Sequence, residues 1–193
     1  MAWHMDGRGL RLSTPLQIFK ERFESNSGRV HMVRGLDDIP QTLASIVDGL
    51  KAERAVVRVP KPLQKIVSDV LRKLGIEILH GDSIDEISMS DAGITMADFG
   101  IADTGTIVEI TGRDLDRLVS ALPRIHISFL NMHDILPSVE GLAELIRKAL
   151  HPPESRKYIT LISGPSRTSD IELRSVLGVH GPHQVHVIVL EAV

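Results

Sequence analysis

The chain contains no cysteine, and this absence excludes whole classes of chemistry. Disulfides, thiolate nucleophiles and cysteine-ligated zinc or iron–sulfur clusters cannot be built from its own residues. Aromatic residues make up only 3% of the chain, with one Trp and one Tyr, leaving little to stack on nucleic-acid bases. An excess of one charge sign is also missing: 22 Lys and Arg against 25 Asp and Glu give a net charge of -3, so DNA, RNA and anionic membrane surfaces are not expected partners. No apolar run approaches the roughly 20 residues that span a bilayer, and Met1 to Leu12 lacks the apolar centre of a signal peptide. The expected location is the cytoplasm.

What is present is an alternation of periods. At 193 residues the chain has the length of one domain with a full core and a pocket. Residues 1–13, with Gly7, Gly9 and no periodicity, read as a flexible lead-in to a single domain over 14–193. From Thr14, the spacing of Leu16, Phe19 and Phe23 predicts a helix ending near Ser27-Gly28. Val30–Val33 reads as a strand, the repeat from Leu36 to Leu50 as a helix, and Ala55–Val59 as a β-branched strand closed by Pro60. Pro62 to Leu74 and then Ile76–Leu79 repeat the helix–strand unit. Gly93 to Ile110 reads as two strands meeting at a turn, Leu115–Leu122 as a helix, Ile125–Leu130 as a strand and Ser138–Leu150 as a helix. The strand 158–162, a helix over 170–177 and the strand Val185–Leu190 complete the series. Such alternation implies an α/β fold with a mostly parallel sheet and helices on both faces.

The run Ser163-Gly-Pro-Ser166-Arg-Thr-Ser169-Asp-Ile-Glu172 concentrates hydroxyls, backbone amides and one guanidinium between a strand and the expected helix. Ser169 and Glu172 have the spacing of a capping box, and Gly178 suits the helix stop. A helix start there directs N–H groups and a positive dipole end at one point, which suits a carboxylate or phosphate. Arg167 supplies a forked partner, and Asp170 and Glu172 either occupy the dipole or bond a ligand hydroxyl. The same residues equally describe a capped loop with no ligand.

Asp103-Thr104-Gly105 is the triplet of aspartic proteases, but that chemistry needs a second carboxylate on a facing turn, and the helix-rich alternation opposes it. Two readings stay open for Asp103, Thr104, Gly105 and Thr106: a tight turn bonded to its own backbone, or one wall of a cleft facing the Ser163–Glu172 loop. The nine histidines show no H-E-x-x-H or other tight ligand spacing, so no metal site is expected; His126 and His186, inside apolar strands, read as hydrogen-bonded core residues. Glu109 lies in a strand and is a base or nucleophile if it points inward. No dinucleotide, P-loop or nucleophile-elbow fingerprint occurs.

Five motifs in order, Ala97–Val108, Ser120–His126, Ile135–Val139, Ile162–Leu173 and Leu177–Pro182, resemble the lactate-utilisation protein C family, the stand-alone LUD domain. The likeness is dense from about Leu74 to Leu190. It implies a NagB/RpiA/CoA-transferase-like fold and a non-redox or ligand-binding part in oxidising L-lactate to pyruvate. No cofactor is implied in this chain; iron–sulfur clusters belong to partner subunits. The family's Thr-Gly turn falls on Thr104, Gly105 and Thr106. Its Ser-Gly-Pro-Ser loop falls on Ser163, Gly164, Pro165, Ser166, Thr168, Asp170 and Glu172, with Arg167 at the basic position, and its His-Gly-Pro turn on His180, Gly181 and Pro182. The alternative is an independent enzyme of the sugar-phosphate isomerase or acyl/CoA-transfer type, with Glu109, Asp103 or Asp170 as its base.

Overall fold

The alternating periods build a six-stranded sheet in which every neighbouring pair is parallel. The computed structural model describes residues 3–6, 9–12, 14–149, 157–169, 175–177 and 181–191, with backbone alone for 3–6, 9–12, 148–149, 167–169 and 175–177. Trp3–Asp6 (β1) and Gly9–Leu12 (β2), which carry no periodic signal, form an antiparallel pair. Thr14 then starts Pro15–Ser25 (α1) with a capping box: Gln17 N–H donates to Thr14 Oγ1 and Thr14 N–H donates to Gln17 Oε1.

Arg29–Val33 (β3), Ile39–Leu50 (α2), Arg54–Arg58 (β4), Lys61–Lys73 (α3) and Glu77–Leu79 (β5) follow the expected helix–strand repeat. Next come Ile84–Ser88 (α4), Ala92–Met96 (β6), Phe99–Ile101 (β7), Thr106–Thr111 (β8), Asp114–Leu118 (α5) and Ile125–Asn131 (β9). Ile135–Leu136 (β10), Val139–Ala149 (α6), Tyr158–Ile162 (β11), Arg167–Ser169 (β12), Ser175–Leu177 (β13) and Gln184–Leu190 (β14) complete the described elements. The stretch from Gly93 to Ile110 thus holds three strands rather than two: β6 belongs to the parallel sheet, and only β7 and β8 form the antiparallel hairpin around the Thr104 turn.

The large sheet runs β3-β14-β9-β6-β4-β5. Its strands alternate apolar residues to both faces, as expected for a sheet covered on both sides. Ile94, Ile127, Phe129, Ile188 and Leu190 pack against α2 and α3, while Val30, Val185, Val187, Val189 and Leu130 meet Phe19 and Phe23 of α1. A second sheet, β10-β7-β8-β11, also covers that second face through Ile107, and α6 closes its outer side with Leu142 on Ile101 and Val108. Helices therefore lie on both faces, with a short mixed sheet inserted on one. No helix among the described residues is long and apolar enough to cross a membrane.

Candidate functional site

Two neighbouring strands send the chain in opposite directions. From β4 it passes through α3 outward to β5; from β6 it passes through β7, β8 and α5 to β9 on the other side. In open α/β sheets this reversal opens a crevice beyond the carboxyl ends of the strands. Here the crevice has a volume of about 790 Å³ and is walled by Arg58 and Val59 at the end of β4, His80 and Asp82 after β5, Met96 to Asp98 at the end of β6, Asn131 at the end of β9, Ile110 to Arg113 at the end of β8 and Asp116 of α5.

Its β4–β5 side carries both signs, Arg58 and Arg113 with Asp82 and Asp116, whereas its other side carries carboxyl groups and an amide. On the β4–β5 side Arg58 is committed to the protein: Nε donates to Asp116 Oδ1 at 3.0 Å, Nη1 to the Val57 carbonyl, and Nη2 to the carbonyls of His80 and Gly81 at 2.8 and 3.0 Å. Gly81, at φ +67°, occupies the left-handed region that a side chain rarely tolerates. Arg113 is freer, with its side chain 58% exposed and Asp82 at 3.8 Å. On the β6–β9 side stand Asp98, Asn131 and Asp134. Asp98 accepts the Ile110 N–H at 2.6 Å, and Asn131 Nδ2 donates to Asp134 at 2.9 Å. Asp98 is exposed to solvent, yet its carboxyl is partly desolvated by the neighbouring protein. That desolvation, with Glu109 and Asp134 as nearby like charges, pushes its carboxyl above the ordinary value despite the Ile110 amide.

Beneath this wall, Glu109 points inward and is sealed from solvent at 2% exposure. Thr95 Oγ1 donates to its Oε1 at 2.5 Å, Ser128 Oγ lies at 3.4 Å and His126 Nε2 at 3.2 Å. Burial alone would raise its pKa; His126 and the hydroxyls of Thr95 and Ser120 outweigh that and hold the carboxylate below its ordinary value. Thr95, His126 and Ser128 come from the parallel sheet and Glu109 from β8, so the cluster ties the two sheets together. His126 is hydrogen-bonded in the core, as its strand context implied, although its Nδ1 has no partner among the described residues.

The loop singled out in the sequence lies elsewhere. Ser166 N–H donates to the Pro182 carbonyl just before β14, and Pro165 adjoins Ser27 and Arg29 at the start of β3, so Ser163–Ser166 sits at the amino ends of the parallel strands. It does meet the Thr104 turn: Thr106 Oγ1 lies 2.8 Å from Ser163 Oγ and from Thr104 Oγ1. Gly105, at φ +60°, packs on the backbone of α1, and Asp103 is exposed. Ser163, Gly164 and Ser166 line a hollow of about 210 Å³ with Ser120, Thr160 and Gly181; the Thr104–Thr106 turn is not among its walls.

The expected helix over 170–177 is overturned. Ser169 pairs with Ser175, Thr168 with Val176 and Arg167 with Leu177 in an antiparallel ladder, where the β-branched pair Thr168 and Val176 suits a strand. No helix N-terminus at Ser169 therefore directs a dipole into this loop, and the proposed strand-to-helix site becomes a strand-to-strand one. Asp170, Glu172, Arg174, Gly178 and His180 lie outside the described residues, as do the side chains of Arg167 and Thr168. The cleft residues Arg58, His80, Asp98, Arg113, Asn131 and Asp134 were missed because they come from five separate strand ends. The strand-end rule applied to Arg58 before Pro60, or to Asp98 within Ala97-Asp-Phe-Gly, would have found two of them. Among the described residues no group of three or more His, Asp or Glu is placed to hold a metal ion.

The LUD domain family model matches residues 16–190. The chain belongs to the LUD domain family. Lactate utilization protein C of Halalkalibacterium halodurans is 37% identical over 109 residues, covering 56% of this chain and 47% of that protein. The Bacillus subtilis protein of the same name is 33% identical over 105 residues, 52% of this chain and 42% of its own. The chain thus spans about half the length of these LUD relatives in the matched stretch. The uncharacterized protein YkgG of Escherichia coli K12 is 32% identical over 174 residues, 80% of this chain and 75% of that protein. A crystal structure of a DUF162 family protein from Deinococcus radiodurans superposes with TM-score 0.62 over 91% of this chain and 96% of its own at 22% identity, which establishes the shared fold.

Proposed function

We propose that this chain is a ligand-binding component of lactate utilisation that works beside iron–sulfur partner proteins and carries no redox centre of its own. The observation that carries the lactate assignment is the kinship with proteins named lactate utilization protein C. The lack of cysteine supports the division of labour, since any cluster would have to be held by another chain. A small carboxylate or phosphate is the ligand we assign to the Ser163–Ser166 hollow. The hydroxyl-bearing residues Ser120, Thr160, Ser163 and Ser166 in its lining and its size support that choice, which rests on side chains rather than on a helix terminus.

Deleting the chain from its host should abolish growth on L-lactate while sparing growth on glucose, and the intact chain should restore it; undiminished growth on lactate would overturn the assignment. Affinity purification of the tagged protein should bring down partners containing iron and acid-labile sulfide. Changing Ser163 and Ser166 together to Ala should weaken lactate binding roughly 10-fold if two neutral hydrogen bonds are lost. A second reading, an independent acid–base enzyme, is favoured by one observation: Asp98, at a strand end in the large cleft, has its pKa pushed upward. Turnover by the isolated chain would decide for it.

A further inference from the structure

The Ser163 hollow at the amino ends of the parallel strands lies against the buried Glu109 cluster. Thr160 in its wall stands opposite Glu109 in the antiparallel β8–β11 ladder, and residues so paired put their side chains on one face. Ser120, two residues after α5, is a second wall residue and is only 3% exposed. Its hydroxyl bonds the Glu109 carboxylate and, at 3.1 Å, donates to the Arg117 carbonyl.

Those two partners decide what Ser120 can offer a ligand. A serine hydroxyl has one hydrogen and two lone pairs. The Arg117 carbonyl and the Glu109 carboxylate are both acceptors, so the single hydrogen is used within the protein whichever of them takes it. Toward the hollow Ser120 therefore presents an oxygen that accepts. The donors stand on the Ser163 loop: Ser163 Oγ, which can accept from Thr106 Oγ1 while donating outward, and Ser166 Oγ. No charged side chain is among the described walls, and the Glu109 carboxylate behind Ser120 repels negative charge from that side. A doubly charged phosphate would meet no cation there, whereas one carboxylate can turn away from Glu109 and toward the two serines.

We propose that Ser120 makes this hollow selective for a 2-hydroxy monocarboxylate over the matching 2-oxo acid, its oxygen accepting the ligand's hydroxyl hydrogen while Ser163 and Ser166 hold the carboxylate. A 2-oxo acid sets a carbonyl oxygen against the serine oxygen, acceptor against acceptor, with no hydrogen between them. The chain thus retains the reduced acid and releases the oxidised one. The inference rests on the ligand-binding reading of the hollow and adds to it which oxidation state is held.

Calorimetric titration of the full chain with L-lactate, pyruvate, propionate and inorganic phosphate tests it. L-Lactate should bind about 10-fold more tightly than each of the other three. Propionate lacks the hydroxyl and fits wherever lactate fits, so that comparison needs no variant. Ser120→Ala should weaken lactate about 10-fold, leave pyruvate within about twofold and bring their ratio close to one. Ser120→Cys, nearly the same size with a weakly accepting sulfur, should lose the preference as well, and thermal melts show that the variants are folded. Changing Ser163 and Ser166 together to Ala should weaken both acids alike. Pyruvate or propionate binding as tightly as lactate, phosphate binding more tightly, or a lactate preference that survives in the folded Ser120 variants would each overturn the proposal. If the Ser163 and Ser166 double variant still weakens the acids in that case, the ligand-binding reading of the hollow stands without it. No binding of any of the four would overturn both.

Discussion

Glu109 and His126 meet at 3.2 Å, Oε1 to Nε2, between the two sheets, at 2% and 0% exposure. Removing one member of a buried pair strands the other and typically costs about 3–5 kcal/mol, whereas replacing both with apolar residues costs much less. Glu109→Leu and His126→Leu should each destabilise by that amount in urea unfolding at pH 7, and the double variant should fall short of their sum by at least about 1 kcal/mol. Strict additivity would mean that the two groups are not coupled. Because the folded carboxylate is held below its ordinary pKa, its contribution is present above the unfolded value and is lost as pH falls through the folded one.

His31 and His186 stack at 5.3 Å, with Nε2 of the first 3.0 Å from Nδ1 of the second. Burial first, then His31 and Arg29, lower the pKa of His186 to about 3. The unfolded chain therefore takes up a proton near pH 6.5 that the folded protein refuses until about pH 3. Stability should be full above 6.5 and fall with pH, by up to about 1.4 kcal/mol per unit once well below 6.5. Comparing pH 6 with pH 5, above the range where Glu109 protonates, the slope should flatten in His186→Gln; an unchanged slope would assign the effect to other groups.

Two glycines should respond oppositely to alanine. A Cβ on Gly93 would overlap the carbonyl of Val119, where α5 closes over β6, while one on Gly49 in α2 meets nothing within 4 Å. Gly93→Ala should lose about 3 kcal/mol or more through overpacking against rigid backbone. Gly49→Ala should gain about 0.5–1 kcal/mol through the lower entropy of the unfolded chain. Thermal melts of both variants check the sign and the size together.

Thr106 and Ser163, 57 residues apart, share a hydroxyl contact at 2.8 Å. A double-mutant cycle with Thr106→Val and Ser163→Ala should return a coupling of about 0.5–1.5 kcal/mol, the usual range for a neutral hydrogen bond. A coupling near zero would show that the two loops merely adjoin.

Legibility in the sequence followed the range of the interactions. The capping residue Thr14, the helical stripes of α2 and α3 and the β-branched strands β4, β9 and β14 are set by neighbours within a turn or two, and all were readable. The inward turn of Glu109 was an open alternative, closed only when β8 was seen to lie over Thr95 and His126. The helix expected after Ser169 failed because S-x-x-E is a local pattern, and the ladder to Ser175–Leu177 overrides it. The cleft was illegible for a different reason: Arg58, Asp98, Arg113 and Asn131 are brought together only by strand order, which no local spacing encodes.

That strand order also sets a timetable for the nascent chain. Among the described residues β14 is the one strand bonded to β3, and it enters between β3 and β9. When Val33 is added to the chain, its partner Leu190 is still 157 residues from being made. Until then β3 has an open edge, and the β14 side of β9 is unfilled. Pairings of such long range are slow to form and leave strand edges exposed to other chains. Synthesis that stalls before Gln184 leaves the β4–β6 crevice with its own strands present but the sheet beside it split, an intermediate prone to aggregate and a natural point for chaperone capture.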